Sequence, residues 1–362
     1  MDTEPQPSPA PAPSVEQQKV NKRILPYPKW LPLIVGAITG VALRLVFSGR
    51  PGDPYSAMMS SFVLLVPLLV GAATVYVAET QQRRSWTYYM WAPFLANVLF
   101  VLGTMAIMIE GLICAILIAP LFGVVGAVGG LIMGAVCRKT HWPRQTLYSV
   151  AVLPFVLGGL EQHIPLPDRE RTIEHARMVN ASPADVWRQL ESAPDIGPEE
   201  VERAWVYRIG VPLPKAGVTE RTAEGMVRRI TMESGIHFDE VAMDWQPNRH
   251  VRWANRFAPD SFPPNTLDEH VKIGGQYFGI GDTDYTLKPL GAATELRMTV
   301  RYRLSTSFNW YAGPILDFLI GNFEDVILDF YAHRAESDAA RTPMNWRVRA
   351  EDVQSISSKG RP

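Results

Sequence analysis

The feature that most constrains this chain is an abrupt change of polarity near residue 165. Between residues 31 and 164 the sequence has long stretches almost without charge, whereas from residue 172 onward charged and apolar residues alternate. About 20 apolar residues are enough to cross a bilayer as a helix, and alternating polarity is typical of a sheet with one face in water. The chain therefore divides into a membrane half and a water-soluble half. Its averages, 20% charged residues and a net charge of -1, describe neither half.

The membrane half is predicted to contain five spans. Apolar stretches place them at 31–48, 58–78, 88–109, 111–136 and 146–164. A Pro-rich tail over 1–29 precedes them and has too few large apolar residues to fold. The fifth stretch is the weakest because it is short and contains Pro154. Arg44, the one charge within the first four stretches, is expected to reach the membrane interface with its long side chain.

Basic residues between the spans predict the orientation. Nine Lys or Arg residues lie in the tail and in alternate gaps, against three in the remaining gaps and after the fifth span. Positive charges collect on the cytoplasmic side, so the N-terminus is predicted to be cytoplasmic and the C-terminal domain extracytoplasmic. If the fifth stretch does not cross, the domain is cytoplasmic instead. We expect a multi-pass protein of a bacterial inner membrane. The near-neutral charge gives no support for nucleic-acid binding.

The fourth span has small residues at a spacing of four. Gly126, Gly130 and Gly134 fall on one helix face, where they allow a neighbouring helix to approach closely. The neighbour is expected inside the same bundle, with a second copy of the chain as the alternative. The Pro-rich tail is a further candidate surface for a protein partner.

The water-soluble half shows a readable order of elements. A strand at 172–180 is followed by a helix start, with Ser182 as cap, Pro183 in the first turn and Asp185 at the positive end. A short helix is predicted near 198–205. Consecutive strands then predict an antiparallel sheet, and apolar residues every three or four positions from 309 to about 336 predict a long amphipathic helix lying on it. The strands are placed at 216–222, 226–233, 236–245, 250–257, 269–278, 282–288 and 294–304.

This order, together with the segment NASPADVW at Asn180–Trp187, resembles the START-like superfamily of polyketide cyclases, Bet v 1-type proteins and START domains. The resemblance covers about 172–338, and the domain is drawn as 172–340, after a linker at 165–171 and before a loose tail at 341–362. The fold class is thus an N-terminal α-helical transmembrane bundle plus an α+β helix-grip domain. The resemblance implies a curved antiparallel sheet around the long C-terminal helix, with an apolar cavity between them for lipids, sterols, polyketides or aromatic compounds. It carries over no catalytic residue.

Strand and helix periodicity select the side chains expected to line that cavity. Each of them has core filling as the alternative interpretation. Asn255 is the polar candidate, either to orient a ligand headgroup or to bond local backbone. The selected residues are Met226, Ile230, Met232, Trp253, Asn255, Phe257, Tyr285, Met298, Tyr302, Phe318, Leu319 and Phe323.

The sequence gives little indication of a metal or cofactor site. His237, His250 and His270 are interpreted as surface or structural, since no pair has the spacing of a helical zinc site. No metal and no cofactor is predicted. The loop 259–264 is expected to be a plain connection, with a lid or a bilayer contact as the alternative.

Three functions remain open at this point. The first is a membrane-anchored protein that binds or transfers a lipid or another apolar small molecule. The second is an enzyme of the polyketide cyclase or dehydratase type acting on a hydrophobic substrate. The third is a ligand sensor or assembly protein.

Overall fold

The computed structural model describes residues 28–49, 53, 55–140, 144–161, 163–264, 266–267 and 270–341. The two tails predicted from the sequence lie outside these ranges, apart from residues 28–29 and 341.

The N-terminal half consists of helices, and each predicted span overlaps one of them. Three helical stretches, Ser61–Gln81, Trp86–Ala106 and Leu112–Lys139, are long and apolar enough to cross a membrane. The first and last apolar helices of this half are shorter. The helices are α1 (Leu31–Val46), α2 (Val66–Gln81, after a π-helical turn at Ser61–Leu65), α3 (Trp86–Ala106), α4 (Leu112–Lys139) and α5 (Arg144–Glu161).

Close packing of α2, α3 and α4 depends on glycine. A Cβ atom placed on Gly130 would lie 2.3 Å from both the Pro93 Cγ and the Tyr89 carbonyl oxygen of α3. One placed on Gly71 of α2 would lie 2.0 Å from the Gly126 carbonyl oxygen. Backbones at this distance gain dispersion contacts that larger residues would prevent. The small-residue face of α4 therefore contacts helices of its own chain.

The C-terminal half is a single antiparallel sheet with helices on one side. Its eight strands have the order β1-β8-β7-β6-β5-β4-β3-β2. The strands are β1 (Asp168–Val179), β2 (Ser192–Ala193), β3 (Pro214–Thr222), β4 (Gly225–Met232), β5 (His237–Gln246), β6 (His250–Arg256), β7 (Phe278–Leu290) and β8 (Ala293–Ser305). The helices are α6 (Pro183–Glu191), α7 (Pro198–Val201), α8 (Trp205–Arg208) and α9 (Asn309–Arg341).

Local sequence explains several of these boundaries. The Ser182 hydroxyl accepts a hydrogen bond from the Asp185 amide, and Pro183 occupies the first turn of α6, as predicted. A strand predicted at 269–278 is wrong in its described part, because residues 270–277 form turns and β7 begins only at Phe278. Gly274 in this stretch has a φ of +77°, a conformation that glycine adopts without strain and that interrupts an extended strand.

The sheet curls around α9. Alternate residues of β8, from Leu296 to Leu304, are all buried in the same core as Leu328 and Phe330 of α9. Register shifts between Ala242 and Asp244 and between Ile280 and Thr283 interrupt two strand pairs. Such bulges increase local twist and allow an antiparallel sheet to bend.

The two halves are joined by direct contacts at one end of the helical bundle. The Ser56 hydroxyl lies 2.8 Å from the Tyr277 hydroxyl, the Ser307 hydroxyl donates to the Met58 carbonyl (3.2 Å), and the Tyr311 hydroxyl donates to the Leu117 carbonyl (2.7 Å). Phe308, just before α9, is buried in the same apolar cluster as residues of α1 to α4. The helix-grip domain is therefore seated on the bundle, and residues of both contribute to what lies between them.

Candidate functional site

A cavity of about 370 Å³ lies between the sheet, α9 and the near end of the helical bundle. This volume falls in the range of small-molecule sites, which are mostly apolar with a few placed polar groups. The sheet and α9 contribute Ile230, Met298 and Leu319, and the bundle contributes Phe62, Phe100 and Phe122. The cavity predicted for the helix-grip fold therefore continues into the helical half of the chain.

Seven of the twelve predicted side chains line this cavity. Four others lie elsewhere in the domain. Trp253 is buried against Trp245, and the Tyr302 hydroxyl donates to Asp317 (2.7 Å). Phe257 packs on Phe238 and Phe262, and Met226 is half-buried away from the lining. The seven lining residues are Ile230, Met232, Asn255, Tyr285, Met298, Leu319 and Phe323.

Phe318 is a clear error of the sequence prediction. Its side chain is 58% exposed, on the outside of α9, while Leu319 next to it is buried. Successive helix residues point about 100° apart because a turn takes 3.6 residues. Phe318 and Leu319 therefore cannot both lie at the centre of the buried face, and Leu319 occupies it.

A buried ion pair at the sheet end of the cavity was missed. The Arg228 Nε donates to the Glu240 carboxylate (2.5 Å), and its Nη1 donates to the Leu190 carbonyl (3.2 Å) and the Tyr331 hydroxyl (3.3 Å). The guanidinium also lies over the ring of Trp253, 4.6 Å from its centroid. The neighbouring Glu240 carboxylate raises the pKa of Arg228 although burial opposes its charge. The sequence did indicate that Arg228 points inward, because it lies on the same face of β4 as Met226 and Ile230.

A second buried ion pair lies at the bundle end. The Arg44 Nε of α1 donates to the Glu110 carboxylate in the α3–α4 loop (2.6 Å), and its Nη1 donates to the Phe47 carbonyl (2.6 Å). The Arg44 and Glu110 side chains are only 7% and 13% exposed. The Arg44 side chain therefore ends on partners inside the protein. Its charge is neutralised inside the protein, and both residues line the cavity.

Tyrosines add uncharged hydrogen-bonding groups to the lining. Tyr207, Tyr285 and Tyr331 all line the cavity beside Arg228 and the helices. Burial raises the pKa of both Tyr207 and Tyr285, because the phenolate is poorly solvated there. Both hydroxyls are therefore uncharged at neutral pH and are able to donate as well as accept.

Glu324 is a buried carboxyl group between α9 and β8. One of its oxygens accepts from the Val300 amide (3.0 Å), and the other has no hydrogen-bond partner among the residues that the structure describes. Burial raises the pKa of Glu324 to about 8. Glu324 lies outside the cavity lining, and the amide that it binds lies beside the bulge in β7.

The three histidines considered in the sequence analysis lie in different surroundings. His270 lines the cavity, whereas His237 is 43% exposed and His250 lies 3.4 Å from an Asp284 oxygen. Among the residues that the structure describes, no group of three or more His, Cys, Asp or Glu is arranged to hold a metal ion. Phe262 in the loop is half-buried against Phe257, so this loop is a packed connection.

Comparisons with known proteins cover less than half of the chain. No protein-family model matches the sequence, and no curated protein matches it significantly. A structure from Thermus thermophilus is 13% identical and covers 47% of this chain and 99% of its own, with a TM-score of 0.31. The Zhui aromatase/cyclase from a Streptomyces species is 14% identical and covers 46% and 94%, with a TM-score of 0.29. A START superfamily protein from Mycobacterium smegmatis is 15% identical and covers 47% and 97%, with a TM-score of 0.29.

Because these scores are low, the fold is assigned from the topology of the chain itself. A first strand, short helices with the two-residue β2 between them, six consecutive antiparallel strands and a long final helix inside the curled sheet define the helix-grip arrangement. The C-terminal half thus has the helix-grip fold that the sequence predicted, and it follows a helical half with three apolar helices.

Proposed function

We propose that this protein is a membrane-anchored binding or transfer protein for an apolar ligand, a lipid in the first place. The observation that carries the proposal is the shared cavity, whose lining comes from the helix-grip domain together with α1, the turn before α2, α3 and α4. A ligand of low water solubility gains from a binding site next to the bilayer, because it avoids passage through water. A site formed by both halves also explains why they are on one chain.

Exposed apolar surface supports membrane anchoring. On α4, Leu112, Ile116, Val124 and Ile132 are spread along the helix and are each at least 44% exposed. Soluble monomers rarely expose apolar surface of this extent, and such surfaces mark membrane or protein contacts. The bilayer is the partner that fits a helix of this length and composition.

The seating of the domain supports an extracytoplasmic side. The domain packs on the end of the bundle formed by the α1–α2 and α3–α4 loops and the end of α5. The opposite end holds the basic residues Arg83, Arg84 and Arg138. Because basic loops stay in the cytoplasm, the domain would lie outside it.

Ligand content is the direct test. The full chain, purified from membranes in mild detergent, is expected to retain an apolar molecule at about one per protein by native mass spectrometry. Ala216→Trp fills part of the cavity lining and is expected to remove it, while Met243→Trp on the exposed outer side of β5 is the matched control. Equal retention by both variants would mean that the bound lipid lies outside the cavity and would contradict the proposal.

An enzyme acting on a hydrophobic substrate is the second candidate. It is favoured by two groups capable of proton transfer, Glu240 and His270, which line the same apolar cavity. Incubation of the purified protein with its extracted ligand separates the candidates, since an enzyme releases a changed molecule with time and a carrier returns it unchanged.

A further inference from the structure

The charges that line the cavity form two closed pairs. Among the described lining residues, the Asp, Glu, Lys and Arg side chains are Arg44, Glu110, Arg228 and Glu240. Arg44 pairs with Glu110 at the bundle end and Arg228 with Glu240 at the sheet end, at 2.6 and 2.5 Å. All four side chains are at least 87% buried. The acidic and basic side chains at each end of the cavity thus cancel in pairs, and His270 also lines the cavity.

The two guanidinium groups have further partners within the protein. Arg228 also donates to Leu190 and Tyr331 and lies over Trp253, and Arg44 also donates to the Phe47 carbonyl. A ligand phosphate or carboxylate would have to displace Glu240 or Glu110, leaving a buried carboxylate without its cation. Unpaired buried charges are costly in the protein interior.

Uncharged hydrogen-bonding groups line both ends of the cavity. Asn255 and Thr283 line the sheet end together with Tyr285, and Thr104, Thr306 and Tyr277 line the bundle end. Hydroxyl and amide groups both donate and accept, so they suit a ligand hydroxyl, ester or carbonyl.

We infer that the ligand has an uncharged polar group, such as an alcohol, ester or ketone, and that anionic and cationic amphiphiles are excluded. This inference rests on the proposed function and adds the chemical class of the ligand. The two ion pairs act as specificity determinants, since they neutralise the cavity before a ligand arrives.

A series of amphiphiles with one chain length tests the class. Hexadecanol, hexadecyl phosphate and hexadecyltrimethylammonium are added to the full-length protein in nanodiscs that contain a bound, fluorescent, uncharged lipid probe. Each competitor is compared at equal mole fraction in the bilayer. Hexadecanol is expected to displace the probe at a mole fraction at least ten times lower than either charged compound. Equal or stronger displacement by a charged compound would overturn the inference.

Single-charge variants test the mechanism. Glu240→Gln and Glu110→Gln each leave one guanidinium unpaired and are expected to reduce the preference for hexadecanol over hexadecyl phosphate by at least tenfold. Glu174→Gln is the matched control, because it removes the same charge from the half-exposed Glu174, which pairs with Arg297 outside the cavity. An unchanged preference in both cavity variants, folded by circular dichroism, would exclude the ion pairs as determinants.

The competition by the three amphiphiles, measured on the wild-type protein, tests the ligand class even if a variant fails to fold. Absence of any binding by the fluorescent probe, or its retention after Ala216→Trp, would count against the proposed function itself. Binding of the probe with preference for a charged competitor would leave that function standing and reject only the uncharged class.

Discussion

Among single residues, Arg228 is a case where strand alternation and side-chain polarity predict opposite positions. Arg228 lies between Met226 and Ile230 on one face of β4, and Glu240 is buried on the neighbouring strand. Alternation alone places Arg228 inside, but a charge is expected outside because burial removes its hydration. The pairing of Arg228 with Glu240 is a tertiary contact, and it resolves this conflict.

The Arg228–Glu240 pair leads to a prediction about stability. Glu240→Leu leaves a buried guanidinium unpaired and is expected to cost about 3–5 kcal/mol of the unfolding free energy. The double variant Arg228→Met/Glu240→Leu removes both charges and is expected to recover most of that loss. Denaturant unfolding of the wild type, Glu240→Leu, Arg228→Met and the double variant, compared as a double-mutant cycle, measures this. A double variant as unstable as Glu240→Leu would show that the charge is not the cause.

Glu324 leads to a prediction about pH. Its pKa is raised in the folded protein to about 8 from an ordinary value of 4.5, so the folded state holds the proton more tightly than the unfolded state. The stability contributed by the protonated form is complete below about pH 4.5, falls as the pH rises, and is lost above about pH 8. Glu324→Gln is expected to abolish this part of the pH dependence.

Thermal unfolding of the wild type and Glu324→Gln between pH 5 and 9 makes the comparison. The variant is expected to gain stability relative to the wild type as the pH rises. Parallel pH profiles would mean that Glu324 ionises normally. Glu220→Gln, at an exposed position of β3, is the control for a change of charge without burial.

At the scale of elements, α4 and α9 each present two faces with different roles. Gly126 and Gly130 of α4 face α2 and α3, while Leu112 and Ile132 are exposed. On the first part of α9 the exposed residues Trp310, Pro314 and Phe318 are apolar. Further along the helix the exposed residues include the polar Asp325 and His333. Amphipathic periodicity predicts that such faces exist but not which neighbour each one meets.

The glycine face of α4 gives a prediction for the bundle. Gly130→Ala places a methyl group against the Pro93 ring and the Tyr89 carbonyl, and overpacking of this kind costs about 1–3 kcal/mol. Gly159→Ala in α5 is the control, since the nearest atom to its added methyl group is the Tyr55 hydroxyl at 3.4 Å. The thermal midpoint of purified protein is expected to fall for Gly130→Ala alone. A change in oligomeric state with no change of midpoint would instead indicate a contact between copies.

At the scale of the whole molecule, the position of the domain on the bundle determines its compartment. Met243 is 67% exposed on the domain and distant from the cavity lining. In a chain lacking Cys114 and Cys137, Met243→Cys is expected to react with a membrane-impermeant maleimide in intact cells. Labelling that requires lysis would place the domain in the cytoplasm and contradict the five-span topology.

The exposed apolar side of α9 predicts how the domain meets the bilayer. Phe318 packs near Trp205, with ring centroids 6.4 Å apart, and the following turn at Gly210 lies beside Leu112 and Ile113 of α4. This surface is therefore continuous with the apolar end of α4, where aromatic residues suit the membrane interface. A fluorophore on Phe318→Cys, in the cysteine-free chain, is expected to be quenched by spin-labelled lipids in vesicles. The same fluorophore on Met243→Cys is expected to be quenched by aqueous iodide instead, and equal iodide quenching at both sites would reject the contact.

Hydrophobic periodicity is a local property of the chain, and it was enough to predict the two halves, the apolar helices, the antiparallel strands and the final helix. It also selected seven side chains that line the cavity. Three features became visible only in the folded chain: the cavity extends into the bundle, Arg44 meets Glu110 from 66 residues away, and Phe318 faces outward. These features depend on which surfaces meet across long separations in the chain. The polarity of a residue does not specify its distant partner, and a charge is buried only where that partner is present.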